Sequence, residues 1–249
     1  MQRILGYLRK AIQDYNMIQN GDRIAVGVSG GKDSLILLKG LVLLKRFIGI
    51  DYDVVAVTLD PCFGGVETDY TYVSQLCEEL GIEYILKRTN IGQIVFDIRK
   101  ETHPCSLCAK MRRGALHETA KELNCNKLAL GHNQDDVVET FMMNLFVEGR
   151  IFVFAPVSYL SRRDLTVIRP LALAPEKEIR TAANRNGLNI VKSKCPVDGH
   201  TKREETKLAL SEQEKLDKGF KERIFGAIKR FDLEGWGNEE TRSKKKNNN

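Results

Sequence analysis

Three features of the sequence predict an α/β fold: a parallel sheet with helices on both faces, plus a short helical C-terminal segment. Strand-length runs alternate with helical runs of roughly 10–15 residues. Several strands are continuous apolar stretches, as expected when both faces of a sheet are covered. The first strand passes into a helix through a glycine-rich loop, SGGKDS.

The elements follow in order. Residues 3–18 place Ile4, Leu5, Leu8, Ile12, Tyr15 and Ile18 at three- and four-residue spacing, an amphipathic helix that Asn20-Gly21-Asp22 stops. RIAVGV is a strand, and LILLKGLVLLKRF is too long for one and reads as a buried helix. DVVAVTLD is the second strand, 69–80 a helix ended by Gly81, and IEYIL the third strand. A helix near 108–123 leads into KLALG, and another covers about 134–147. LTVIRP is a late strand, followed by a helix from Pro175 to about Asn186 with Gly187 beyond it. Residues 204–231 read as helical. The organisation expected is therefore an N-terminal helix (1–20), a main domain (21–200), a helical segment (201–231) and a disordered polar tail (232–249).

Composition is that of a soluble globular protein, 42% apolar and 29% charged. No apolar run approaches the ~20 residues of a membrane span. The first residues lack a secretory signal pattern, so the cytoplasm is the expected compartment. Net charge is +6, and residues 232–249 hold four basic and four acidic side chains, so the excess lies in the body. A basic body suits a polyanionic partner or simple solubility equally. Six cysteines in such a chain do not read as a disulfide framework. Cys77 and Cys125, near predicted helix ends, read as small buried apolar residues.

The loop Ser29-Gly30-Gly31-Lys32-Asp33-Ser34 has the chemistry of a phosphate cradle. Its glycines admit a phosphate to the backbone N–H groups, the helix N-terminus favours an anion, and Lys32 adds charge. It is not a Walker A loop, which requires Gly where Val26 stands and Ser or Thr where Asp33 stands. A second strand end carries Gly131-His132-Asn133-Gln134-Asp135-Asp136. Asp135 and Asp136 suit Mg²⁺, His132 suits α-phosphate contact or proton transfer, and Asn133 or Asp135 suits a helix cap. Cys105 and Cys108 form a C-x-x-C unit, with Cys195 a third thiol. That set is compatible with zinc, a redox pair or an iron–sulfur cluster; His103 or His200 could complete a zinc site.

Ser29–Ser34 resembles the SGG-x-DS motif of the PP-loop ATP pyrophosphatase superfamily, of adenine nucleotide alpha hydrolase-like fold. The resemblance implies cleavage of ATP between the α and β phosphates. Ser29, Gly30, Gly31 and Ser34 would cradle pyrophosphate with Lys32 and Asp33 beside it. Thr58, Leu59 and Asp60 would lie at the adenosine. GHNQDD resembles the GH-x-x-DD segment of PP-loop enzymes that modify tRNA, with Gly131, His132, Asp135 and Asp136 at the nucleotide. Together with PCSLCAKMRRGAL and VIRPLALAPEKEIR, over most of residues 20–200, the chain is similar to tRNA 2-thiocytidine synthetase and its relatives, the TtcA group.

That resemblance implies a tRNA thiolase that uses ATP, Mg²⁺ and a 4Fe–4S cluster held by Cys105, Cys108 and Cys195. Sulfur would come from a cysteine desulfurase or free sulfide. Arg112, Arg113, Lys192, Lys194, Lys202 and Arg203 are candidate tRNA phosphate contacts. Dimers are frequent among such proteins, so a homodimer is expected on resemblance alone. Two departures stand out. Cys195 is a single cysteine where bacterial cytidine thiolases carry a second C-x-x-C, and CP-x-x-x-x-TKR is nearer to archaeal thiolases. The competing readings are a nitrogen-transferring PP-loop enzyme of lysidine or amide-forming type, and a zinc-stapled RNA-binding protein without catalysis.

Overall fold

The computed structural model describes residues 1–100, 104–197, 199 and 201–237. His103, His200 and residues 238–249 lie outside the described residues. The sheet has six strands: β1 (Asp22–Gly27), β2 (Tyr52–Asp60), β3 (Glu83–Arg88), β4 (Lys127–Ala129), β5 (Val157–Leu160) and β6 (Leu165–Ile168). Their order is β3-β2-β1-β4-β6-β5, with every pair parallel except β5 against β6. The chain builds outward from β1 through β2 to β3, then returns to lay β4 on the other side of β1. That reversal makes the carboxyl ends of β1 and β4 a topological switch point, where open α/β sheets open a crevice for ligands.

Burial on both faces explains the unbroken apolar strands. Ile24 and Val26 of β1, Ala56 of β2, Ala129 of β4 and Ile168 of β6 face the larger core. Ala25, Val55, Val57, Leu128 and Val167, one residue out of phase, face a smaller core. The larger core takes Ile4, Leu8 and Ile12 from α1 (Gln2–Asp14) and Leu35–Leu38 from α2 (Lys32–Leu44). It also takes Ile179 and Ala183 from α6 (Glu176–Arg185). The smaller core is closed by Ala120 and Leu116 of α4 (Pro104–Glu122). Cys77, in α3 (Thr71–Leu80), and Cys125 are buried, as expected of small apolar residues.

Several boundaries differ from the sequence reading. α1 ends at Asp14 because Asn16 adopts a left-handed conformation, leaving Met17 and Ile18 buried in the turn. α2 begins at Lys32, so the phosphate loop runs directly into its first turn. α4 begins at Pro104, which places the C-x-x-C unit in the opening turn, where proline costs no hydrogen bond. β5 is an edge strand that the sequence reading did not contain; its residues are only partly buried and it is four residues long. The helical segment expected over 204–231 is made of two helices, α7 (Lys202–Leu216) and α8 (Phe220–Arg230), separated at Gly219. The tail expected from residue 232 is a correction: the chain packs through Gly237, with Trp236 fully buried. The Trp236 indole donates to Phe154 O at 2.8 Å, and its ring meets Tyr15 and Phe225 edge-on.

Candidate active site

The two motif loops meet at the switch point. In the first, Ser34 Oγ donates to Gly31 O (2.9 Å) and accepts from Ser29 N–H (3.2 Å), so the loop folds on its own hydroxyl. Gly30 has φ +80, and its carbonyl accepts from Val191 N–H at 3.0 Å. A Cβ at Gly30 would lie 2.6 Å from Val191 Cβ, so the segment leading to Cys195 docks on the loop only because no side chain is there. In the second loop, a Cβ at Gly131 would stand 3.1 Å from Ser34 N and 3.2 Å from the Asp33 carbonyl carbon. Glycine at this position lets the loops touch backbone to backbone.

α5 (Gln134–Glu148) opens with a capping box: Asn133 Oδ1 accepts from Asp136 N–H (3.0 Å), and Asp136 Oδ2 accepts from Asn133 N–H (2.8 Å). Asn133 Nδ2 also donates to Asp33 Oδ1 at 3.0 Å. Each carboxylate oxygen of the expected Mg²⁺ pair already accepts a protein donor. Asp135 accepts from Glu176 N–H (2.8 Å) and Lys221 Nζ (3.0 Å), and Asp136 Oδ1 from Arg203 Nη2 (2.8 Å). Lys32 Nζ stands 2.9 Å from both Asp33 and Glu176. Burial alone would lower the Lys32 pKa, but those two carboxylates outweigh it and raise it. Asp33, Asp135, Asp136, Glu139 and Glu176, with Lys32, Arg203 and Lys207, enclose a cavity of about 160 Å³.

Beside it lies a cleft of about 560 Å³. Its lining combines apolar side chains, Val57, Leu59, Leu116 and Leu130, with basic ones, Arg112, Arg113, Arg169 and Arg203, beside His132 and Phe154. Of the expected adenosine residues, Leu59 lines this cleft. Thr58 and Asp60 are fully buried: Thr58 Oγ1 donates to Val28 O (2.8 Å), and the Asp60 carboxylate accepts from Cys62 N–H (3.1 Å) and Thr68 N–H (2.8 Å). Those two side chains build the strand ends. Burial, reinforced by Arg169 and Arg203, pushes the His132 pKa down to about 3, so the imidazole is neutral and keeps a single ring N–H.

Cys105 is exposed, Cys108 buried and Cys195 half-buried. They share one neighbourhood: burial raises the Cys108 pKa, and the charges of Cys195 and Cys105 add to it while Arg112 opposes. Among the described residues, no three Cys, His, Asp or Glu side chains stand in metal-holding geometry. As a donor set, three soft thiols beside an arginine fit a thiolate-ligated cluster. The next residue of α4, Ala109, lines the cleft.

Among the candidate tRNA contacts, Arg203 is paired with Asp136 (2.8 Å) and Glu139 (3.4 Å) inside the site. Lys202 pairs with Glu205, Lys194 donates to Glu67 O, and Lys192 is exposed. Sequence reasoning assigned no role to Glu176, Arg169 or Phe154. Glu176 and Arg169 follow β6 on the same rim, and a strand-end position was the available signal.

A PP-loop domain family model matches residues 5–210. The tRNA-cytidine(32) 2-sulfurtransferase of Geobacter sulfurreducens is 38% identical over 230 residues, 91% of this chain and 89% of that protein. The protein of the same name from Syntrophotalea carbinolica is 42% identical over 188 residues, 75% and 72% of the two chains. Among solved structures, the U34-tRNA thiolase NcsA of Methanococcus maripaludis, determined with its 4Fe–4S cluster, superposes with a TM-score of 0.76 at 29% identity. That match covers 92% of this chain and 78% of the other. With both motif loops joined at the β1/β4 switch point, the chain belongs to the PP-loop family and, within it, to the group that includes the tRNA-cytidine(32) 2-sulfurtransferases.

Proposed function

We propose that this protein is an ATP-dependent, iron–sulfur-dependent tRNA thiolase acting at carbon 2 of a pyrimidine, with cytidine the base, as in the relatives named above. The observation that carries the reading is the union of the Ser29–Ser34 and Gly131–Asp136 loops at one strand-end crevice, with Cys105 and Cys108 on α4, the helix whose Ala109 lines the cleft beside it. The carbonyl oxygen at carbon 2 attacks the α-phosphorus of ATP, and the α–β bridge bond breaks to release pyrophosphate. Hydrosulfide then attacks carbon 2, the C–O bond breaks, and AMP leaves.

The backbone N–H groups of Ser29–Ser34 and the α2 N-terminus hold the departing pyrophosphate. Lys32 exchanges Glu176 or Asp33 for a phosphate oxygen. Asp33 and Asp136, which line the crevice where the two loops meet, are the carboxylates for Mg²⁺ arriving with ATP. The apolar side chains of the cleft take the adenine, and Arg112 and Arg113 face the tRNA. Cys105, Cys108 and Cys195 would hold the cluster, which would supply iron chemistry to carry the hydrosulfide. The sulfur comes from free sulfide or a cysteine desulfurase. No helix of the described residues is long and apolar enough to cross a membrane, in keeping with the proposed cytoplasmic site of action.

The test is anaerobic purification with assay of iron, sulfide and zinc, then mass spectrometry of nucleosides from tRNA incubated with ATP, Mg²⁺ and sulfide. About four irons per chain and ATP-dependent 2-thiocytidine are expected. 2-Thiouridine instead would keep the chemistry and change the base. Zinc without iron, or no thiolated nucleoside, would remove the reading.

A further inference from the structure

Arg169 stands just beyond the carboxyl end of β6 and lines the cleft. Its guanidinium lies over the Phe154 ring, 4.8 Å from carbon to centroid, and Nη1 donates to Ala155 O at 2.6 Å, with Ser158 Oγ at 3.4 Å. Its Nε–H is shielded from solvent and has no hydrogen-bond partner. Among the described residues no carboxylate pairs with it, and the charge it feels is the like charge of Arg113. His132 also packs on Phe154, 4.8 Å between centroids, and its Nδ1 is likewise buried without a partner. Among the described residues, Asp33 is the one acidic side chain that lines the cleft, against four arginines.

A desolvated cation without a counter-ion is costly, and so is each buried polar atom left unpaired. The neighbouring acidic cavity shows the contrast, since its lysines and Arg203 are all matched by carboxylates. A purely structural Arg169 would need only its bonds to the 155–158 backbone and hydroxyl; the unpartnered Nε and the unpartnered His132 Nδ1 have no role in that packing. The position of Phe154, and hence of both groups, is fixed by the Trp236 indole on its carbonyl.

We propose that Arg169, with His132 beside it, forms an anion site in the cleft that takes a nucleotide phosphate. The site rests on the proposed function only for its two sources of phosphate: the α-phosphate of the adenine nucleotide, or the phosphodiester flanking the target base in tRNA. In either case the guanidinium supplies Nε–H and the phosphate supplies the missing counter-charge.

The test uses the full-length protein with AMP, adenosine and bulk tRNA as probes. Arg169→Gln removes the charge, and circular dichroism with a melting curve checks the fold. If the α-phosphate is the ligand, AMP affinity falls about tenfold or more while adenosine affinity holds, as expected for loss of a charge-assisted hydrogen bond. If a tRNA phosphate is the ligand, tRNA affinity falls and its salt dependence becomes shallower, with AMP unchanged. Should the glutamine variant not fold, Arg169→Lys, which keeps the charge but loses the fork, is measured against the same probes. A folded variant that binds AMP and tRNA as the parent does overturns the proposal. Absence of thiolated nucleoside from the parent enzyme would remove the thiolation reading and leave the AMP result standing.

Discussion

Asn133 Nδ2 donates to Asp33 Oδ1 at 3.0 Å, tying together two loops that lie 100 residues apart in the chain. The same side chain caps α5 through its oxygen. One amide therefore couples the start of a helix to the phosphate loop.

Its two jobs can be separated. Asn133→Ser keeps a capping hydroxyl but cannot span to Asp33, so stability should hold while tRNA-dependent ATP consumption falls. Asn133→Ala should also lose the cap, costing about 1 kcal/mol. Thermal melts and pyrophosphate release on both variants decide it; equal melting points for Ser and Ala would refute the capping role.

Gly30→Ala should damage the site from two directions. Alanine at φ +80 is strained by roughly 1–2 kcal/mol, and its Cβ would collide with Val191. ATP binding is expected to fall sharply, and adding Val191→Ala should recover part of the stability by relieving the collision. No recovery in the double variant would show that strain, not contact, dominates.

Glu176 gives the fold an acid limit. Burial would raise its pKa, but Lys32, Lys207 and Arg180 outweigh that and hold it at about 2, below the ordinary 4.5. Its stabilising contribution is therefore present above pH 4.5 and fades as pH falls toward 2. Glu176→Gln should melt at lower temperature at pH 7 and lose less on acidification. Parallel melting curves for the two proteins across that window would contradict the assignment.

Glu139 acts in the opposite sense. Burial, with Asp136 adding to it and Arg203 opposing, raises its pKa from 4.5 to about 7. The native state holds that proton more tightly than the unfolded chain, so this term falls away as pH rises from 4.5 through 7. Glu139→Gln, neutral throughout, should flatten that part of the stability profile. Urea titrations at pH 5 and 8 suffice to see it, and an unchanged slope would count against it.

The parallel sheet was legible because its strands are buried on both faces, which leaves continuous apolar runs and a clear alternation with helices. The site was legible where local chemistry is dense: Ser29–Ser34 and Gly131–Asp136 carry their meaning within six residues. Glu176 and Arg203 were not legible, since each gains its role from partners far away in sequence, and Arg169 was not, since only the fold sets it over Phe154 and beside His132 in the cleft. A lone basic or acidic residue at a helix end reads as surface until the fold supplies Asp136 for Arg203 or Lys32 for Glu176. Edge strand β5 escaped for another reason: four partly exposed residues carry little periodic signal. The packing of Trp236 escaped because a single aromatic amid glycines and acids looks like tail.

Trp236 is also the one tryptophan in the chain. It hydrogen-bonds the carbonyl of Phe154, whose ring lies against His132 and Arg169 in the cleft. The protein thus has a built-in fluorophore, one residue removed from where its ligand is proposed to sit. Its emission, undiluted by any other indole, reports on that wall of the cleft without a label, and energy transfer to an iron–sulfur chromophore would quench it.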